Sequence, residues 1–583
     1  MIPSFLTVRR ALPLLAAALF SCGKDVDPPD PPVKPVDVPT NVKLNKATET
    51  SLTFQWDPVE RAGEYQWKLT KDGAPVSDGF VKTRNVTVSS LEKATMYGFS
   101  VCAVGPGGPS AYSAVVEAKT EGEQVPEGGD PWPELKVDMP VRLGFDAAPV
   151  LGAKGLIRVF SKDGKEVDRI DLADLAKVTV LEDGTMVPKE QITNASAFHS
   201  FMDAISGGSR YRIVHYTPLR VKGKTLEIRL HSGVLDFDRE YYLTMDPGVV
   251  VGDKGVADWH FVTAPAPASA RELRVAADGT GDFCTIQRAL AYADKAGCTI
   301  SVAPGTYAEL LYLRDKNGIT LKGDDRDKVL IRYPNSELYA NGSGGGVGSR
   351  PSLGGSVGSN GGRSVFLVEN CDNFTLEGLT FENTFTAPDH KGQAECLYFN
   401  SGNNSHRMTV ENCSLISWQD TFLTKVKVWV HNSLIDGHVD YIWGYPDACL
   451  FEDCEIRSRA GGYIVQARVP SASNKGFVFL NCRLTAESGV KDGSMYLARS
   501  GGSAEYYDNV VFVNCTMGTV IAPTGWYTSP APNPSTPTAS SGWREYGSVD
   551  PSGKAVTGHN ASGKLLSSDE AESYSSRAAV LGW

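Results

Sequence analysis

Along most of the chain apolar and polar residues alternate with a period of two, in short runs separated by Gly, Asn, Asp, Ser and Pro, which is the pattern of half-buried strands between turns. SLTFQW (Ser51–Trp56) and YGFSVCAV (Tyr97–Val104) are such runs in the region 38–120. VRLGF, LIRVF, TLEIRL, YYLTM and a closing WHFVT succeed them across 134–263. From 271 to 583 the pattern changes. TIQRALAYADKAG places Ile286, Ala289, Leu290 and Ala293 at helical spacing, with Gly297 where a C-cap belongs, which predicts one amphipathic helix. The strands after it rhyme: VENC (Val368–Cys371), VENC (Val410–Cys413), FEDC (Phe451–Cys454), LNC (Leu480–Cys482) and VNC (Val513–Cys515) each precede another alternating run. Their cysteines are 42, 41, 28 and 33 residues apart, one or two turns of a solenoid with coils of about 20 residues. An all-β chain ending in a parallel β-helix, its open end capped by the helix, is the expectation.

A chain of 583 residues exceeds what one core serves, so three or four domains are expected. Linker composition marks 121–133 (Gly, Pro and Glu) and 264–270, beginning with APAPAS. The net charge of −11 argues against nucleic acid as a partner. Arg9 and Arg10 precede the apolar run Ala11–Phe20, too short to span a bilayer and typical of a secretory signal that ends in LFSC, Leu19–Cys22. Residues 22–37 are polar and Pro-rich, a stiff tether. Nine of the eleven cysteines fall after residue 280, several in the repeated strand settings, and read as small buried apolar residues; a Cys284–Cys298 bridge stays open. With no CxxC pair and no HExxH, neither a metal nor another cofactor is expected.

HVDYIWG, His438–Gly444, sets Asp440 inside an otherwise apolar strand. A lone carboxylate removed from water needs a charge partner, hydrogen bonds or a chemical role. Asp420, in WQDTFLTK, lies 20 residues earlier, about one coil, so the two acids fall on adjacent rungs about 4.8 Å apart. Gln419 adjoins Asp420, and Gln393 in GQAECLYF lies about a rung further on. Neighbouring carboxylates cannot both ionise easily, so one residue type supplies an acid and a nucleophile. Arg499, in MYLARSGG, is a candidate guanidinium partner for the ionised one.

These residues carry a family resemblance. The segment 271–583 resembles the pectin methylesterases, carbohydrate esterases with a right-handed parallel β-helix: VAADGTGDFCTIQRAL and GTYAE match its opening motifs, and GQAEC, WQDTF, VDYIWG and YLARS match QAVA, QDTL, DFIFG and LGRPW. PTGW (Pro523–Trp526) and EYGS (Glu545–Ser548) are similar to its C-terminal landmarks. The resemblance implies hydrolysis of methyl-esterified pectin without a metal. It makes Asp440 the nucleophile, Asp420 the general acid and base, Gln419 an oxyanion donor, Gln393 a helper at that site, and Arg499 the group that aligns Asp440. The region 38–120 resembles a fibronectin type III domain, with Trp56 as core tryptophan and Leu91 and Tyr97 at a tyrosine corner, and 134–263 resembles bacterial Ig-like modules, giving two β-sandwich modules before the solenoid. LFSC resembles a lipobox, which implies a signal peptide 1–21, a lipidated Cys22, and a membrane-anchored outer-membrane lipoprotein of a Gram-negative bacterium, its facing (cell surface or periplasm) left open.

Two departures stand out. The family tryptophan two residues after the arginine is Gly501 here, which leaves Tyr398, Trp443, Tyr445 and Trp526, with Tyr506 and Tyr507, as sugar-stacking or core aromatics, and Glu395 adds a third carboxylate expected near the cleft to disfavour anionic pectin. GGSVG (Gly354–Gly358) matches the GxSxG elbow formally, but its glycine-rich surroundings read as a loop rather than a strand leading into a helix. Pectate lyases and polygalacturonases share the solenoid, and a non-catalytic pectin-binding surface protein is the remaining alternative.

Overall fold

The computed structural model describes residues 34–48, 50–71, 73–92, 95–121, 132–174, 178–180, 186–188, 198–337, 362–385 and 392–583. The chain divides into two units, 1–122 and 123–583. In the first, a three-stranded sheet of Lys43–Ala47, Leu52–Gln55 and Asn85–Val88 and a five-stranded sheet built on Glu64–Lys71 and Met96–Gly105 enclose Trp56, Leu91 and Tyr97. The Tyr97 hydroxyl accepts the Glu92 backbone N–H at 2.8 Å, so the corner forms from the residues that suggested it.

The second unit begins with another pair of antiparallel-rich sheets. One orders Val141–Gly144, Thr225–Ile228, Tyr211–Lys222 and Phe198–Ser206; the other orders Glu166–Asp171, Leu156–Ser161, Glu240–Met245, Val256–Thr263 and Glu134–Leu135. A second tyrosine corner, not singled out from the sequence, stands at LDFDREYY: the Tyr241 hydroxyl accepts the Asp236 N–H at 2.9 Å. This module shares one continuous core with the C-terminal solenoid, from Leu235 and Phe261 to Phe283, Leu290 and Tyr312. The Pro-rich stretch that reads as a linker is anchored at its start, where Ala264 is buried and donates its N–H to Leu135 O at 2.8 Å.

The solenoid is built of parallel strands. An eleven-stranded sheet runs from Glu272–Val275 to Gly563–Leu565 with consecutive coils as neighbours. The opposite fourteen-stranded sheet is two rows. Gly305–Tyr307, Val329–Tyr333, Thr380–Asn383 and Ser414–Ile416 form one; Leu311–Arg314, Phe366–Glu369, Leu397–Asn400 and Phe422–Thr424 form the other. The long strand Leu434–Gly444 pairs with the first row through Leu434–Asp436 and with the second through Ile442–Gly444, so it bends across both.

The rhyming Asn-Cys pairs have a backbone cause. Asn412, Asn432, Asp453, Asn481 and Asn514 end successive strands of the eleven-stranded sheet with φ between 47° and 55°, a left-handed corner that Asn and Asp tolerate better than other side chains. The residue after each corner points into the core: Cys413, Ser433, Cys454, Cys482 and Cys515, with Ser433 standing in the cysteine column. That serine explains the interval of two coils between Cys413 and Cys454. The first VENC belongs to another corner, because Phe366–Glu369 lies in the opposite sheet. Inside, Phe451, Phe479 and Phe512 stack coil on coil, with centroids 4.8 and 4.4 Å apart.

The capping helix spans Ile286–Tyr292, with the Thr285 side chain accepting from Arg288 N and Ala293 as C-cap; Gly297, expected as the cap, lies beyond it in a turn with φ +136°. Cys284 and Cys298 are both buried and free, so the open disulfide does not form. Ser356 and Cys22 fall outside the described residues.

Candidate active site

The site lies where the two rows of the fourteen-stranded sheet meet, at the bends between strands. Backbone bonds climb from coil to coil there: Val365 N to Glu395 O at 2.9 Å, Ala394 N to Gln419 O at 3.2 Å, Cys396 N to Thr421 O at 2.8 Å and Asp420 N to Val439 O at 3.1 Å. Gln393, Gln419 and Val439 are successive parallel bridge partners. Gln393 and Gln419 therefore share a column, and Asp420 and Asp440 stand one position on in adjacent coils. Both aspartates have left-handed backbone, φ +65° and +49°. Aspartate tolerates that conformation better than most side chains, as at the Asn and Asp corners of the opposite sheet.

Asp440 is buried, at 4% exposure. Arg499 approaches it as a fork: Nε donates to Oδ1 at 2.7 Å and Nη2 to Oδ2, while Gln466 Nε2 donates to Oδ2 at 2.8 Å. Charge-assisted donors on both oxygens fix the plane of the carboxylate. Asp420 is equally buried but meets a different field. Arg363 Nη2 reaches its Oδ2 at 3.3 Å. Burial, then the nearby Glu395 anion, push the Asp420 carboxyl well above the ordinary carboxylate range; Arg363 opposes them, Asp440 adds to the rise, and Arg468 pulls weakly down.

Glu395 is fully buried, and Arg363 Nε donates to its two oxygens at 2.9 and 2.7 Å. It therefore presents no charge to the surface, which corrects the expectation that it repels anionic pectin. Its role is internal, holding Arg363. The Arg363 Nη1 in turn donates to Gln393 Oε1. Because a guanidinium only donates, this contact fixes which end of the Gln393 amide is oxygen and leaves its NH₂ as donor. The half-buried Gln419 amide makes no hydrogen bond to the described residues.

Arg363, Gln466 and Arg468 were not found from the sequence. Gln466 pairs with Trp443 in the neighbouring strand, so a polar residue in the apolar run Tyr463–Val469 was the available signal. Arg468 donates to Gln466 Oε1 at 3.0 Å from Nε and at 2.6 Å from Nη2, and to the Tyr445 hydroxyl at 2.8 Å.

The aromatic assignments divide. Tyr398 and Trp526 are core side chains, 2% and 1% exposed, and Trp526 stacks on Trp543 at 5.2 Å, so neither is a sugar platform. Trp443 is 7% exposed, its ring lying beside the Arg468 guanidinium at 5.2 Å. Tyr445 is half-buried and meets Tyr506 at 5.2 Å. Tyr463, Tyr496 and Tyr527, half-buried and unremarked in sequence, cluster beside Arg499, whose guanidinium lies 5.0 Å from the Tyr463 ring centre. At Gly501 an added Cβ would meet Gln466 Oε1 at 3.5 Å and Arg468 Nε at 3.6 Å, ordinary contacts, so the backbone does not demand glycine there.

Comparison with known proteins matches two parts of the chain. The pectinesterase family profile matches residues 272–581, and the fibronectin type III profile matches 37–119. Pectinesterase 31 of Arabidopsis thaliana is 31% identical over 268 residues, covering 45% of this chain and 78% of that protein. Pectinesterase 2 of Citrus sinensis is 29% identical over 262 residues, covering 43% of this chain and 46% of that protein, so the chain spans less than half of some relatives. Among solved structures, the deglycosylated pectin methylesterase from Aspergillus niger aligns with a TM-score of 0.42 and 24% identity over 54% of this chain and 95% of that one. The pectin methylesterase from Yersinia enterocolitica gives 0.41 and 25% over 52% and 99%. With a family profile spanning more than half of its length, the chain belongs to the pectinesterase family and is a carboxylic ester hydrolase with a fibronectin type III domain ahead of its parallel β-helix.

Proposed function

We propose that the chain hydrolyses the C6 methyl esters of polygalacturonate through an aspartyl acyl-enzyme, with Asp440 as nucleophile and Asp420 as proton carrier. One observation carries this reading: two buried aspartates on adjacent coils, one gripped by Arg499 and the other driven toward its protonated form. A carboxylate Oδ of Asp440 attacks the ester carbonyl carbon. Charge moves to the carbonyl oxygen, where the Gln419 and Gln393 amides donate to it. Collapse of this intermediate breaks the bond to methoxide, which takes the proton of Asp420 and leaves as methanol. The anhydride left behind joins Asp440 to the sugar. Asp420, now ionised, takes a proton from water as that water attacks the sugar acyl carbon. Release of the galacturonic acid restores the Asp440 carboxylate and the Asp420 proton, and ionisation of the product acidifies the medium.

Gln-Asp on one coil, Asp on the next and an arginine fork suit this acyl transfer better than the clustered carboxylates of a calcium-dependent lyase or an acid and base set across a glycosidic bond. A module that merely binds pectin has no need of a second aspartate held near its proton. Methylated pectin is expected to release methanol, with neither new reducing ends nor ultraviolet-absorbing double bonds. Arg499→Ala is expected to lower kcat by about 10²-fold to 10³-fold while KM changes by less than about threefold, because the fork acts on the reacting carboxylate rather than on sugar binding. Unchanged turnover would remove Arg499 from the site. The LFSC sequence and the Pro-rich segment after it support a further reading, that the enzyme is tethered through a lipid on Cys22 to the outer membrane of a Gram-negative cell. Incorporation of labelled palmitate, lost in Cys22→Ser, tests it.

A further inference from the structure

The second module is joined to the solenoid by more than chain connectivity. Asp138 accepts from Cys284 N at 2.9 Å and Thr285 N at 2.7 Å at the start of the capping helix, Gln287 Nε2 donates to Ser206 O at 2.8 Å, and Arg314 N donates to Gly207 O at 2.6 Å. At the centre of this contact Arg212, on the strand Tyr211–Lys222, is fully buried. Its Nη1 donates to Leu311 O at 2.7 Å and Val365 O at 3.4 Å, and its Nη2 to Gly362 O at 2.9 Å and Ser364 O at 2.5 Å. Two of these carbonyls belong to the residues on either side of Arg363, and Asn335 Nδ2 donates to the same two at 3.1 and 3.0 Å.

We infer that Arg212 of the second module is a positioning residue for the esterase reaction: it fixes the backbone on both sides of Arg363, whose guanidinium orients Glu395, Gln393 and Asp420. Burying a guanidinium is costly, and here the nearby Glu369 and Glu395 offset only part of that cost. What a guanidinium supplies, and a lysine or an apolar side chain does not, is a planar set of donors able to hold several carbonyls at once in one geometry. Three of the four carbonyls it holds, those of Gly362, Ser364 and Val365, belong to the segment that enters Phe366–Glu369, whose Val365 N–H donates to Glu395 O on the next coil. A shift of that segment moves Arg363 relative to Asp420, where the contact is already long at 3.3 Å. The module that resembles a bacterial Ig-like domain in sequence is thereby part of the catalytic domain.

The inference rests on the roles proposed above for Asp420 and Asp440, and its test separates from theirs. Arg212→Met and Arg212→Lys in the full-length enzyme are compared with Arg363→Met and with the Arg212→Met/Arg363→Met double variant, using active-site-normalised kcat, KM for methylated pectin and the pH profile of kcat/KM. Arg212→Met is expected to lower kcat by about tenfold or more with KM within about twofold. The charged groups facing Asp420 are Glu395, Arg363, Asp440, Arg468 and Arg499. Loosening Arg363 removes the nearest cation among them, so the alkaline limb moves to higher pH. The double variant is expected to lose no more activity than Arg363→Met alone. Unchanged kcat with an unmoved limb, multiplicative losses in the double variant, or a lower melting temperature with normal turnover would each overturn the inference. Should Arg212→Met fail to fold, Arg212→Lys keeps the charge with fewer donors and is read by the same criteria. Full methanol release by Asp440→Asn would instead sink the role assignment while leaving the coupling between Arg212 and Arg363 measurable.

Discussion

Replacing Asp440 by Asn is expected to reduce methanol release from methylated pectin by on the order of 10⁴-fold or more, with the fold retained. The amide has nearly the shape of the carboxylate but no nucleophilic oxygen. Gln466 and Arg499 would each keep one acceptor, and the Arg499 donor left over is not stranded, since the side chain is 31% exposed and reaches water. Circular dichroism and a melting temperature near that of the wild type are expected to accompany the loss. A variant that is inactive because it is unfolded would not test the role, and a folded variant with substantial activity would exclude Asp440 as nucleophile.

Asp420→Asn is expected to cost about 10²-fold to 10⁴-fold in turnover, because methoxide must then leave without a proton donor and water must attack without a base. Two pH effects accompany it. In the wild type kcat/KM is expected to fall on the alkaline side, as Asp420 loses the proton it would donate, and that limb is expected to vanish from the residual activity of the variant. Stability moves in the same direction with pH. The folded carboxyl keeps its proton above the pH at which the unfolded one releases it, so between those values the native state binds more protons and wild-type stability declines as pH rises. The melting temperature of Asp420→Asn is expected to decline less over the same interval, which thermal melts across mildly acid to neutral pH would read.

How much of the fold and site was legible in sequence depended on whether a residue's partner lay one coil away. Asp420 and Asp440 are separated by one coil without an insertion, so counting alone placed them on adjacent rungs. Gln393 was reachable the same way because the strand after it stays in register with Phe422–Thr424. The Asn-Cys rhyme likewise reported a repeated left-handed corner, though VENC at 368–371 reads as part of that column when it closes a strand of the opposite sheet. Arg363 was invisible because it comes after a glycine-rich stretch with no period. Gln466 and Arg468 lie after the bend of Glu455–Ala467, where spacing no longer tracks register. Residue type alone misplaced Glu395 and left Tyr398 and Trp526 open between sugar platform and core: a carboxylate and two aromatics near the site by number are turned into the core, where Arg363, packing and Glu545 satisfy them. The attachment of the second module was hidden for a related reason. Arg212 meets residues about 100 to 150 positions away, and composition at 264–270 gave no sign that the two modules share a core.

The covalent link between Asp440 and the sugar acyl group is the step on which the mechanism turns, and exchange with labelled alcohol tests it most directly. Methyl-esterified oligogalacturonate is turned over in water containing deuterated methanol, and the remaining ester is analysed by mass spectrometry. An acyl-enzyme that has released methanol can be intercepted by the labelled alcohol, so deuterated methyl ester is expected to accumulate in unhydrolysed substrate while hydrolysis proceeds, and to be absent with Asp440→Asn. Full hydrolysis by the wild type with no deuterated ester at any stage would mean that water attacks the ester directly, and would contradict the mechanism.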